Sequence, residues 1–193
     1  PHRLALVRGG SGSPPPMGAL LLDVHPPHRT ISAVSSSTDP ESYGNFGPFT
    51  PGFETIPYDD LEALEAAVSD PNACAFMVEP VQGEAGVIVP KPPEYLKRAK
   101  EVCARHGVLL IADEVQTGLG RCGTMLASDY DEGTRPDVVV LGKALSGGTY
   151  PISAVLCDDD VMGVACWSSL RPLPRPFPPP LSASRPGCRP GTS

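Results

Sequence analysis

Apolar residues gather into three short unbroken runs in the middle of the chain: AFMV at 75–78, VLLIA at 108–112 and VVVL at 138–141. Each run ends in a charged residue or a glycine, at Glu79, Asp113 and Gly142-Lys143. Continuous rather than alternating apolar character over four or five positions marks strands buried on both faces, as in a parallel sheet. The segments between them carry a helical period instead. Asp59 or Asp60 can cap a helix in which Leu61, Leu64 and Val68 share a face, closing near Asp70 and Pro71. Residues 93–105 place Leu96, Ala99 and Cys103 on one face, with His106-Gly107 as the stop. Residues 30–35 alternate apolar and small polar side chains and are expected to form a further strand. The stretch SSSTDPESYGNFGPFTPGF that follows is rich in turn residues yet holds four aromatics, so it is expected to pack as a loop. Strand, helix, strand, glycine-rich excursion, strand is the order of an α/β fold with a mostly parallel sheet and helices on both faces.

Composition restricts that fold to the middle of the chain. The 193 residues include 25 prolines, many of them at the two ends, in Pro14-Pro15-Pro16, Pro26-Pro27 and Pro178-Pro179-Pro180. Such stretches cannot continue a helix or a central strand. We therefore expect the folded unit to span 29–162, with 1–28 and 163–193 disordered. The formal net charge is −7, although Arg171, Arg175, Arg185 and Arg189 lie beyond residue 162 without an acid among them. An acidic folded middle argues against nucleic acid as a partner, because phosphate contacts need clustered lysine and arginine. The six cysteines form no CxxC pair and no zinc-like spacing, which points to a reducing compartment and no metal. No apolar run approaches the roughly 20 residues of a membrane span. The chain opens on Pro1, so its start is uninformative about compartment, and both cytoplasm and mitochondrial matrix stay open.

The chemistry gathers where the runs end. Reactive groups in parallel sheets collect beyond the carboxyl ends of the strands. Asp113 and Lys143 form a pair suited to pyridoxal phosphate, in which a carboxylate keeps the ring nitrogen protonated and an amine condenses with the aldehyde. Burial at the strand end is expected to lower the pKa of the Lys143 amine. Gln116 can donate to the ring hydroxyl oxygen, and Val115 can pack on a ring face. Glu79 and Glu84 flank Gln82-Gly83 in the loop EPVQGEAG, where a carboxylate can gate access. Each of these residues has an ordinary alternative as a cap, a loop carboxylate or a solvated lysine. A phosphate-binding ATPase core would also show VLLIADE, but it needs GK followed by serine or threonine, and Gly142-Lys143 is followed by Ala144. A non-catalytic role, binding a partner subunit through the sheet and the aromatic loop, is the alternative of another class.

Together, SSSTDPESYGNFGPFTPGF, FMVEPVQGEAGVIVP, LLIADEVQTGLGR and LGKALSGGTYPISAVLCDDDVM resemble the class III aminotransferases over residues 29–162. The resemblance implies a fold-type I transferase large domain with pyridoxal 5'-phosphate as cofactor. It assigns Lys143 as the cofactor-bearing lysine, Asp113 to the pyridine nitrogen, Gln116 to the ring hydroxyl and Glu84 as the gating carboxylate. It also implies a homodimer or higher homo-oligomer. Within the family, the serine-rich stretch and the DDDVM ending favour members acting on L-ornithine and 2-oxoglutarate over those acting on acetylornithine or 4-aminobutyrate. The family's phosphate-cradling loop and its switch arginine match nothing in 1–28 or 163–193. The chain is therefore expected to be an incomplete copy with little transaminase activity alone.

Overall fold

The computed structural model describes residues 3–8, 31–37, 44–45, 47–83, 86–91 and 93–165. Six strands, β1 (Arg3–Arg8), β2 (Phe53–Pro57), β3 (Ala73–Val78), β4 (Leu109–Asp113), β5 (Val138–Leu141) and β6 (Ala154–Cys157), form one sheet in the order β2-β1-β3-β4-β5-β6. The helices are α1 (Ile31–Ser36), α2 (Leu61–Val68), α3 (Tyr95–His106) and α4 (Asp159–Ala165). The three apolar runs become β3, β4 and β5, which lie side by side and parallel. β1 and β6 pair antiparallel with their neighbours, so four of the six strands share one direction.

Strand alternation divides the core into two layers. On one face Phe76, Val78 and Leu110 meet Leu64, Ala67 and Val68 of α2 and Leu96, Ala99, Val102 and Cys103 of α3. On the other, Ala75, Ile111, Val138 and Val140 pack with Val115, and Val161 of α4 leans against them. All four residues of β5 are buried, which is why its sequence shows no alternation.

Local chemistry sets the helix ends. Asp60 caps α2 by accepting the Ala63 N–H at 2.9 Å. Gly107, at φ 68°, ends α3 in the left-handed conformation that glycine adopts without a Cβ penalty. The start of α3 has no cap from its own neighbours; instead Asp131 Oδ2, 35 residues downstream, accepts the Leu96 N–H at 2.8 Å. Asp137 ties α3 to the sheet, accepting from Lys100 Nζ and from the Leu110 N–H. Glu65 on α2 accepts from Arg105 and pairs with His106 Nε2 at 2.7 Å, holding α2 against α3. Tyr58 and Tyr95 pack with ring centroids 5.9 Å apart. Burial pushes the Cys103 thiol up to about 12, so it is an inert core residue.

Two expectations are corrected. Residues 30–35 were expected as a strand, but Ile31–Ser36 is helix α1, in which Val34 is buried and the Ser35 hydroxyl donates to the Ile31 carbonyl. Six residues are too few to separate a period of two from one of 3.6, and the single buried position decides neither. The proline-rich start was expected to lie outside the fold, yet Arg3–Arg8 forms β1 between β2 and β3. RLALVR contains no proline, and β2 and β3 each offer it an open row of backbone donors and acceptors. At the other border α4 runs three residues beyond 162. The expectations for residues 9–28 and 166–193 lie outside the described residues.

Candidate active site

Parallel neighbours deliver their carboxyl ends to one edge, and the register makes this concrete. Val78 lies opposite Ala112, and Asp113 lies opposite Val140. Glu79 therefore follows β3 beside the end of β4, Asp113 ends β4, and Lys143 follows β5 two residues past Leu141. The three runs thus bring the acid and the amine to adjacent strand ends, as the sequence pattern implied.

The Asp113 carboxylate is half-buried and Oδ1 accepts the Val115 N–H at 3.0 Å, which fixes the turn that leaves the strand. Val115 is buried against Ile111, Val138 and Val140, so its side chain is a hydrocarbon backing for that turn. Gln116 is half-buried, and the loop after β3 lies on it: a Cβ added at Gly83 would come 3.0 Å from Gln116 Oε1. That loop is closed by paired backbone bonds between Gln82 and Ile88, at 3.0 and 2.9 Å. Its base is held by the Tyr58 hydroxyl, which donates to the carbonyls of Glu79 and Pro80 at 3.1 and 3.2 Å. Burial, more than the neighbouring Tyr95 and acidic groups, pushes the Tyr58 phenol well above its usual value, so it stays a neutral donor. Glu84 lies outside the described residues.

Lys143 opens a single 3-10 turn, Lys143–Ser146, that ends at Gly147 and Gly148 with φ 62° and 81°. The lysine itself has φ 39°, a left-handed backbone that costs a residue with a Cβ. Its side chain is exposed. The expectation of an amine buried at the strand end is thereby corrected. The turn projects past the last paired residues, Leu141 and Ala154, and so carries the lysine beyond the sheet's cover.

Glu114 escaped the sequence reading. It is 1% exposed, and its carboxylate accepts from the Ala127 N–H at 3.1 Å, the Ser128 N–H at 2.8 Å and the Thr117 hydroxyl. Nothing local signals this, because the partners lie up to 14 residues downstream. Among the described residues no group of three or more His, Cys, Asp or Glu side chains could hold a metal ion. A groove of about 660 Å³ lined by Glu54, Ile56, Ala63 and Pro71 lies at the β2 edge, away from these strand ends.

The arrangement presents a carboxylate, a carboxamide and a primary amine along one edge. Such a set can hold a proton on a ring nitrogen, donate to a ring oxygen and engage a carbonyl carbon.

Comparison with known proteins agrees with this geometry. The model of the family described as aminotransferase class-III matches residues 28–172. Over 134 residues, 69% of this chain, the sequence is 71% identical to a mitochondrial ornithine aminotransferase of Rattus norvegicus, of which it covers 30%. It is 63% identical over the same length to the mitochondrial ornithine aminotransferase of Drosophila melanogaster, covering 31% of that protein. A solved ornithine aminotransferase of Toxoplasma gondii, described as having partial occupancy of PLP at its active site, superposes with a TM-score of 0.70. The two are 60% identical, over 73% of this chain and 33% of that one. The chain thus spans about 30% of the length of the curated relatives it matches. Its fold-type I layout, the acid and amine at neighbouring strand ends and the match over most of its length lead to one assignment: the chain belongs to the class-III aminotransferase family.

Proposed function

We propose that this chain binds pyridoxal 5'-phosphate at the carboxyl edge of β4 and β5. The reaction proposed for the whole protein is transfer of the terminal amino group of L-ornithine to 2-oxoglutarate, giving glutamate 5-semialdehyde and glutamate, with little turnover expected of this chain alone. The observation that carries the reading is the register that sets Asp113 opposite Val140, three residues before Lys143 on the adjacent parallel strand. Identities of 71% and 63% to ornithine aminotransferases support ornithine as the amino donor, ahead of acetylornithine and 4-aminobutyrate.

The residues present fit such a cofactor. Asp113 is a carboxylate at the end of β4, its orientation set by the Val115 N–H on Oδ1, and a carboxylate is the acceptor-only, negatively charged group that a pyridinium N–H calls for. When bound, pyridoxal phosphate supplies an electron sink and carries the amino group between the two substrates. Asp113 would keep a proton on the pyridine nitrogen, Gln116 would donate its amide N–H to the ring hydroxyl, and Val115 would back the ring with hydrocarbon. Lys143 would hold the cofactor's aldehyde carbon through Nζ and, once freed, move a proton between substrate carbon and cofactor carbon. Glu84 as a gate rests on the family resemblance. A second copy of the chain is the proposed partner, and the mitochondrial matrix the proposed compartment, supported by the word mitochondrial in the rat and fruit-fly relatives' names. No helix among the described residues is long and apolar enough to cross a membrane.

The test is chemical. The purified chain is incubated with pyridoxal phosphate, reduced with borohydride and digested, and the modified peptide is identified by mass. A single adduct on Lys143, lost in Lys143→Ala, is the expected result; persistence of the adduct in the variant, or its spread over all lysines, overturns the assignment. Turnover with L-ornithine above that with 4-aminobutyrate or acetylornithine supports the substrate, and the reverse order removes it.

A further inference from the structure

We propose that Glu114 is the positioning residue of this site, its buried carboxylate holding the turn that aims Asp113 and Gln116 along the sheet edge. The inference rests on the cofactor reading above. Glu114 stands between the two residues it would position, and its N–H, its carbonyl and its carboxylate are all hydrogen-bonded. Its N–H donates to the Val140 carbonyl at 2.9 Å, which locks the end of β4 to β5. Its carbonyl accepts the Gly118 N–H at 2.9 Å and so closes the turn. A side chain at Gly118 would clash there, since a Cβ would sit 2.9 Å from the Glu114 carbonyl oxygen and 3.1 Å from Leu141. The backbone is thus packed with no slack between Asp113 and the strand that leads to Lys143.

The carboxylate adds what the backbone lacks. Beyond Gly118 the chain makes an excursion through Gly120 and Gly123, whose backbones have left-handed φ of 87° and 99° and little intrinsic order. That excursion returns through the Leu119 N–H to the Met125 carbonyl at 2.7 Å and is then caught by Glu114 at Ala127 and Ser128. A carboxylate removed from water is stable only when it is hydrogen-bonded, and here three donors, Thr117, Ala127 and Ser128, engage both of its oxygens. A loop anchor alone would need only the last two donors. The Thr117 hydroxyl ties the same carboxylate back to the turn that holds Gln116, so loop and turn move as one body.

Hydrogen exchange in the cofactor-free full chain separates the alternatives. In Glu114→Gln one acceptor oxygen becomes an N–H2 group facing N–H donors, so at least one buried donor loses its partner. The amides of Val115, Gly118, Ala127 and Ser128 are expected to exchange roughly tenfold to a hundredfold faster, the size of one lost buried partner. Acceleration confined to Ala127 and Ser128, with Val115 and Gly118 at wild-type rates, overturns the proposal and leaves Glu114 a loop anchor. Should Glu114→Gln fail to fold, Thr117→Val is read at the same four amides. Faster exchange at Val115 and Gly118, restored to wild type in Thr117→Ser, supports the proposal, and unchanged exchange overturns it. Titration with pyridoxal phosphate then reports on the site: about a tenfold weaker affinity is expected in the folded Glu114→Gln chain, and wild-type affinity overturns the role. A wild-type chain that forms no Lys143 adduct defeats the cofactor reading, while the exchange rates still decide whether Glu114 holds the turn of Asp113.

Discussion

The two faces of the sheet are built from the same strands and stabilised very differently. Among the described residues, thirteen buried side chains, from β2, β3, β4, α2 and α3 and from Val108 just ahead of β4, interlock on one face, including the fully buried Phe76, Leu64, Leu110 and Cys103. The other face gathers five, Ala75, Ile111, Val115, Val138 and Val140, all small or branched, with Val161 of α4 partly buried against them. The turn after Asp113 belongs to this lighter face, through Val115. Large side chains on one side of the pleat hold the fold together, and short ones on the other leave the strand ends free to carry polar and strained residues. Stability and chemistry are thereby separated across a single layer of backbone.

The sharpest way to break this comparison is to remove mass from each face in turn. Phe76→Ala empties a fully buried site beneath α2 and α3 and is expected to cost about 3–5 kcal/mol. Ile111→Val on the opposite face should cost about 0.5–1.5 kcal/mol. Urea denaturation of both variants measures the difference, and equal losses would erase the distinction between the faces.

Asp113→Ala tests the other half of the contrast. Its carboxylate is half-buried at the end of β4 and accepts the Val115 N–H, so the change should cost the fold about 1 kcal/mol and weaken pyridoxal phosphate binding roughly tenfold to a hundredfold, the worth of one bond to a charged partner. A spectroscopic titration beside a melting curve separates the two effects.

Lys143→Gly should act in the reverse sense. Glycine accepts φ 39° without the cost borne by lysine, so the chain is expected to gain on the order of 1 kcal/mol while losing the site amine. Lys143→Ala keeps the strain and should leave the midpoint near wild type; a Gly variant no more stable than the Ala variant argues against strain at this turn.

The smallest expected effect concerns pH and the helix-covered face. The side-chain bond from His106, then the one from Arg105, holds the Glu65 carboxyl below its ordinary value of 4.5. A folded value below the unfolded one contributes stability above 4.5 that fades as pH falls through the folded value. Both partners are solvent-exposed, so the loss is small. Glu65→Gln should flatten the acid limb of a plot of unfolding midpoint against pH below about 4.5. An unchanged limb would show that the link between α2 and α3 contributes nothing in solution.

How much of this was legible beforehand differs between backbone order and polar detail. The helix cap at Asp60 and the helix stop at Gly107 rest on bonds made within a few residues, and both could be read directly. The positions of Asp113 and Lys143 at or just past the ends of β4 and β5 were legible because the apolar runs that form those strands stop there. The cap on α3 from Asp131 and the anchoring of Glu114 at Ala127 and Ser128 were not, since each joins residues from separate elements. The helix at Ile31–Ser36 was missed because six residues hold too little periodicity to choose between two conformations.

By itself, the sequence determined the strands β3, β4 and β5, their parallel arrangement and the helices α2 and α3 between and before them, because those follow from local hydrophobic period and short-range capping. Tertiary structure alone decided that Arg3–Arg8 enters the sheet, that Lys143 stands exposed on a left-handed backbone, and that Glu114 is buried with donors on both carboxylate oxygens. Each of those outcomes depends on which unpaired backbone groups or open edges happen to meet in space, and such meetings leave no mark in the spacing of residues along the chain.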